Sequence, residues 1–188
     1  MFSNRNTQDK IRIEDSLIDA CQKGNFKLVQ HLIKDEYRKD ISKHPNIKLF
    51  FKLACESGNL ELVKYLIKQG ADVNIKDEFG STASDIACRS GNLELVKYLI
   101  EEGQRMDIDI QNNEGETILF PVCREHEEYG QYMEILKYLV DEKGMDVHAK
   151  NNKGETILSI SKSKDEWGNR TYYIKEKMQQ VSGAQKNI

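Results

Sequence analysis

Two prolines in 188 residues leave no room for a proline-rich linker. No apolar run approaches the roughly 20 residues of a membrane span, and the opening MFSNRNTQDK has no apolar core of a secretory signal. Neither sign of charge dominates. Lys and Arg number 28 against 31 Asp and Glu, a net charge of -3, and the two signs alternate along the chain, which removes any bulk reason to expect nucleic acid or an anionic membrane as partner. No G-x-S-x-G, P-loop or H-E-x-x-H occurs, and His31, His44, His126 and His148 have no metal-ligand spacing. Asn169-Arg170-Thr171 fits a glycosylation sequon but stands without a secretory signal. These absences lead to an expectation of no catalysis, no cofactor, no metal and no membrane. The expected location is the cytoplasm, with the nucleus as the other candidate.

What the chain does have is repetition. The text GNLELVKYLI runs from Gly58 to Ile67 and again, unchanged, from Gly91 to Ile100, an offset of 33 residues. A diverged copy, GNFKLVQHLI, starts at Gly24, and MEILKYLV from Met133 to Val140 matches the core of the same segment. A second pair, GETIL, stands at Gly115–Leu119 and Gly154–Leu158, each preceded by two asparagines and one variable residue. That offset is 39, so about six residues have been inserted. A fixed period of this size means stacked helical units, each too small to bury its apolar face alone.

One unit can be read in detail. Leu60, Val63, Leu66 and Ile67 recur at helical spacing. Gly70 and Gly103 follow the helices, where a C-terminal cap wants a left-handed residue. A shorter helix is expected over Ala83 to Arg89, with Thr82 as its N-cap and Asp85 completing a capping box. Gly80 suits a tight turn, and Asp72 to Asp77 is an extended connector.

These residues resemble the ankyrin repeat, whose pattern is D-x-x-G-x-T, then P-L-H-x-A-A-x-x-G, an outer helix and G-A-D-V-N. The chain shows Asp77, Gly80, Thr82, Ala87, Gly91 and Gly70-Ala71-Asp72-Val73-Asn74. It departs from the pattern at Ser84 for leucine, at Ala83, Ile118 and Ile157 for proline, and at Lys52, Asp85, Phe120 and Ser159 for histidine. The second repeat lacks the turn motif, and its connector, Ser42 to Lys48, is irregular. Pro121 falls early in the fourth inner helix, where few intrahelical donors are lost. The resemblance implies an all-α solenoid of helix-turn-helix units joined by hairpin-like connectors. We read five repeats, at about 13–42, 43–75, 76–110, 111–149 and 150–180, with flexible segments 1–12 and 181–188. Asp19 in the first repeat and Glu176 and Lys177 in the last put polar residues where inner copies are apolar, so both are expected to be caps of an array complete within this chain. Gln104-Arg105 is an insertion in the connector between the third and fourth repeats, and His126 to Gly130 one in the turn between the fourth repeat's helices.

Cys21, Cys55, Cys88 and Cys123 share one repeat position. Neighbouring copies of that position lie about one helix spacing apart, roughly 8–10 Å. That is beyond the roughly 7 Å limit for a disulfide and far too wide for a tetrahedral zinc site. The expected role is a small buried core residue.

The resemblance also implies where a partner would lie: across the turn tips and the adjoining inner-helix ends. In the third repeat these positions are Lys76, Glu78, Phe79, Ser81, Arg89 and Ser90. In the fourth they are Gln111, Asn113, Glu114, Glu116, Arg124 and Glu125, and in the fifth Lys150, Asn152, Lys153 and Glu155. Their mixed signs fit a protein surface better than a phosphate backbone. Phe79 either stands exposed as a hot-spot candidate or folds back on a neighbouring turn. The expected function is a non-catalytic adaptor, scaffold or inhibitor that binds another protein as a monomer. The alternatives are a self-assembling spacer and a regulatory subunit of an enzyme complex.

Overall fold

The computed structural model describes residues 7–36, 41–102, 108–125, 130–162 and 168–184. Ten α-helices occupy these stretches, and extended chain pairs only in two isolated antiparallel bridges among the described residues, Lys76 with Thr82 and Lys150 with Thr156. The all-α repeat fold expected from the sequence is the fold observed. The chain divides into two compact units, Met1–Ile75 and Lys76–Ile188, so the division falls between the second and third repeats.

In the first unit, α1 (Thr7–Gln22) packs on α2 (Phe26–Glu36) and on α3 (Ile47–Glu56), which in turn packs on α4 (Leu60–Lys68). The contacts are apolar. Leu17, Ile33, Phe50, Phe51, Leu62 and Leu66 are each fully or almost fully buried, and each such side chain contributes about 1.5–3 kcal/mol relative to exposure. α1 starts at Thr7, so residues 7–12, expected to be flexible, carry helix. Asp9 in its first turn complements the helix dipole, and Leu17 anchors the packing. The irregular connector of the second repeat, expected over Ser42 to Lys48, holds the end of a 3-10 turn, Ile41–Lys43, pinned by fully buried Ile41, then a turn at Pro45-Asn46 and the start of α3 at Ile47. Asn46 then reaches back, donating its side-chain amide to the Glu14 carboxylate.

The end of α4 shows why glycine follows it. Gly70 donates to the Ile67 carbonyl (2.9 Å) and Ala71 to that of Leu66 (3.0 Å), a Schellman closure with Gly70 at φ +94°. A Cβ there would stand 2.7 Å from Cβ of Ser42, so both the torsion and the space exclude a larger residue. Gly103, the counterpart in the next repeat, lies outside the described residues, as do Gln104-Arg105, residues 126–129 and residues 185–188.

The second unit stacks inner helices α5 (Ala83–Arg89), α7 (Leu119–Arg124) and α9 (Ile157–Lys162). Outer helices α6 (Leu93–Lys97) and α8 (Gln131–Lys137) pack on each other, and α10 (Asn169–Ala184) packs on α9. α5 has the predicted bounds, and its capping box is complete. Thr82 Oγ1 accepts from Asp85 N (3.3 Å) and Thr82 N donates to Asp85 Oδ2 (2.6 Å).

Two features of this unit were not expected. First, α6 and α8 each end in a π turn, Tyr98–Glu102 and Tyr138–Glu142, although α4, built from the same LELVKYLI, stays α-helical to Lys68. The α-helical copy has Lys68 in its last turn, where the dipole favours a cation. The other two carry Glu101 and Asp141 in the corresponding turn, each paired with a lysine, Lys143 and Lys177. Second, Arg170 of α10 is fully buried. It donates to the carbonyls of Val122 and Glu125, both at 2.9 Å, and so satisfies acceptors that the C-terminal end of α7 leaves open.

The polar cap positions are placed as the sequence suggests in part. Asp19 is exposed and pairs with Lys23, and Glu176 is exposed. Lys177 is half-buried and turns back to Asp141 at 2.7 Å. All four cysteines are buried and free. Burial pushes the Cys21 thiol up to about 12 and raises those of Cys55 and Cys88 as well.

Three laddered finger turns form the candidate site

The sixteen site positions read from the sequence fall within the second unit, on three turns and the helix ends beside them. Each turn is organised by one side chain. Asp77 Oδ1 accepts from Phe79 N (3.0 Å) and Ser81 N (2.8 Å). Asn112 Oδ1 accepts from Glu114 N (2.9 Å) and Glu116 N (3.0 Å). Asn151 Oδ1 accepts from Lys153 N (3.0 Å) and Glu155 N (2.9 Å). In every turn the organiser's own N–H donates to the carbonyl four residues on, and a glycine N–H closes back on its carbonyl. Short side chains with one acceptor over two main-chain donors hold a tight turn that solvated backbone would not keep.

The three fingers are bonded to one another. Asn113 donates its main-chain N–H to Phe79 O (2.9 Å) and its amide to Glu78 O (3.1 Å). One repeat later, Asn152 donates its N–H to Glu114 O (2.8 Å) and its amide to Asn113 O (3.1 Å). Gly80 and Gly115 lie directly beneath these asparagines, and a Cβ at either would collide with the asparagine Oδ1. Asn113 and Asn152 are therefore exposed residues that also join finger to finger.

Beneath the tips lies a charged layer. Glu116 is only 3% exposed. Its carboxylate takes both terminal nitrogens of Arg124, one of them at 2.6 Å, together with the amides of Asn112 and Asn151, each at 3.3 Å. Burial pushes this carboxyl upward, but Arg124 and the two asparagines outweigh it, and the group is held below the usual glutamate range. Asp85 shows the opposite balance. Its carboxylate is buried over Thr82, and loss of solvent raises it despite two hydrogen bonds from that residue.

The structure thus sorts the predicted positions. Lys76, Glu78, Phe79, Arg89, Gln111, Asn113, Glu114, Lys150, Asn152 and Lys153 are exposed. Phe79 is 61% exposed, so its ring stands out from the finger and does not fold back. Ser90, Arg124, Glu125 and Glu155 are half-buried. Ser90 is tied down, donating to Ala87 O at 2.7 Å, and Glu155 is bonded by Asn151 at 2.8 Å. Ser81 and Glu116 are buried and offer almost no accessible surface. Ser81 is turned in by the Asp77 cage, and Glu116 by Arg124. Asn112, Asn151 and Arg170 are not among the site positions that the repeat pattern points to. The asparagine pair before each G-E-T-I-L signalled the first two; nothing local signalled the third.

Among the described residues, no three His, Cys, Asp or Glu side chains are grouped so as to hold a metal ion, and no helix is long and apolar enough to cross a membrane. A protein-family model described as ankyrin repeats (3 copies) matches residues 17–111 and again residues 51–151, together well over half of the chain. No curated protein matches the sequence.

Proposed function

The chain belongs to the ankyrin repeat family, and on that premise we propose that it is a non-catalytic adaptor, scaffold or inhibitor whose partner lies across the finger tips and inner-helix ends of repeats three to five. Ankyrin repeats are in general protein–protein interaction modules. The observation that supports this surface is Phe79. It is a large aromatic side chain, 61% exposed, at the tip of a finger whose backbone is fixed by Asp77 below and Asn113 beside it. An exposed aromatic among charges on a fixed backbone turn needs little main-chain ordering on binding and is a common anchor of interface energy. Around it Lys76, Glu78, Gln111, Glu114, Lys150 and Lys153 supply both signs of charge, which suits a polar rim that sets register and specificity.

The test begins with affinity capture of the partner from the native cell and its identification by mass spectrometry. Binding of the purified partner is then measured by calorimetry. The Phe79→Ala, Lys76→Glu double variant is expected to weaken it by about thirtyfold or more, the scale of a hot-spot loss of about 2 kcal/mol. Helical content and melting should stay unchanged, because neither side chain is buried. Undiminished affinity in that variant would overturn the proposal.

A further inference from the structure

The three fingers are built alike, and two of them are filled. The Glu78 and Phe79 carbonyls accept the amide and N–H of Asn113, and the Asn113 and Glu114 carbonyls accept those of Asn152. Each time, the asparagine lies over a glycine with positive φ, +78° at Gly80 and +76° at Gly115. The third finger repeats the geometry, with Gly154 at φ +76°. Here, however, Asn152, Lys153 and Gly154 are exposed, and the space above Gly154 is open. Among the described residues no donor reaches the carbonyls of Asn152 and Lys153.

We propose that this tip is a preformed seat for an asparagine carried on a turn of the partner protein. The partner's main-chain N–H would meet Lys153 O, and its carboxamide N–H would meet Asn152 O. The inference deepens the reading of this face as a partner surface and rests on it. The chemistry selects the occupant. Two carbonyl acceptors side by side require two donors from one short residue, and an aspartate in that place has only one. A second copy of this chain is a poor occupant. Its first finger carries Glu78 where the others carry Asn113 and Asn152, and a carboxylate would face two carbonyls. Exposed Lys150 and Lys153 beside the seat favour an acidic residue next to the partner's asparagine.

The probe is a head-to-tail cyclised peptide of this chain's own fourth-repeat finger, residues 111–117 (QNNEGET), cyclisation reducing the ordering cost. It is titrated into the ¹⁵N-labelled full chain and followed by amide chemical shifts. We expect saturable shifts at Lys153, Gly154 and Glu155, with half-saturation on the order of tens of millimolar, the scale that two solvent-exposed hydrogen bonds support. A peptide with aspartate in place of its second asparagine should bind about tenfold more weakly. In the chain, Gly154→Asn keeps a residue that tolerates positive φ while its side chain fills the space, so the shifts should vanish from an otherwise folded spectrum. The seat is overturned by absent shifts, by equal shifts with the aspartate peptide, or by shifts that survive Gly154→Asn. These outcomes leave the Phe79 test untouched, so failure of the seat and failure of the partner surface are told apart.

Discussion

The two units are made from the same building block and held together differently. The described buried side chains of the first unit are all apolar. The second unit adds buried polar groups, among them Asp85, Glu116, Asn151 and Arg170. The decapeptide that occurs in both serves as an internal control. Asn59 Oδ1 accepts from Leu62 N at 2.9 Å and Asn92 Oδ1 from Leu95 N at 3.0 Å, and the core residues Leu62, Val63 and Leu66 correspond to Leu95, Val96 and Leu99, all fully buried. The scaffold is therefore shared. What the second unit adds is a layer of directional bonds under a row of fingers, and the described residues of the first unit, with a 3-10 turn at Ile41–Lys43, form no such row. Apolar packing is enough to stack helices. Holding turn tips in fixed register calls for groups with direction, and each partner missing once water is excluded is costly; Arg170 keeps its terminal nitrogens bonded but leaves Nε without a partner among the described residues.

The comparison breaks most visibly at Arg170. Its two charge-assisted hydrogen bonds to the end of α7 are worth about 1.5–3 kcal/mol each, so Arg170→Ala should destabilise the second unit by about 3–5 kcal/mol. Hydrogen exchange should then accelerate across residues 118–184, while amides of residues 7–75 keep their protection. Uniform acceleration in both units would mean that they do not differ in the way described.

A smaller effect separates the units by pH. Glu116 is held below its ordinary range in the folded state. Its contribution is therefore complete above the unfolded glutamate value of about 4.3 and is lost as pH falls through the depressed folded value. Glu116→Gln should cost about 1–3 kcal/mol near neutrality, and the gap between wild type and variant should close in acid. Asp85, raised by burial, runs the other way: its contribution is complete in acid and declines as pH climbs through its folded value. Being present in both proteins, it cancels from the difference. Urea unfolding followed by circular dichroism at several pH values measures that gap, and a gap that does not narrow in acid would remove Glu116 from the account.

The smallest effect should be similar in the two units. Asn59→Ala and Asn92→Ala each delete an N-cap, at about 0.5–2 kcal/mol, and Asn59→Ala also removes the amide bond to Gly24 O. Matched losses in paired unfolding curves would sharpen the view of the decapeptide as common scaffold; a loss confined to one copy would contradict it.

Much of this was legible in the sequence because it is local. The bounds of α5, its capping box and the glycine closing α4 all follow from residues within one turn of each other, and the shared cysteine position follows from the repeat register. The resemblance of the fingers and helix ends to ankyrin repeats also gave the region of the candidate site. Which of those residues reach solvent was not legible. Ser81 and Glu116 read as surface because the resemblance puts turn positions of this kind on the binding face, yet Glu116 is covered by Asn151, a residue 35 positions away. Arg170 read only as the middle of a sequon, since its acceptors lie 45 and 48 positions upstream. The π turns escaped for a related reason: the text of α4 and α6 is identical, and what differs is the charge that follows it.

The buried cysteines carry a consequence of their own. A thiol reacts with an alkylating reagent only as an accessible thiolate, and Cys21, Cys55, Cys88 and Cys123 are all shielded. Each sits at the same point of a successive repeat, so each stays silent until its own repeat opens. The molecule is thereby furnished with four clocks of one design, two in each unit, and their relative rates time the breathing of one stretch of the chain against another.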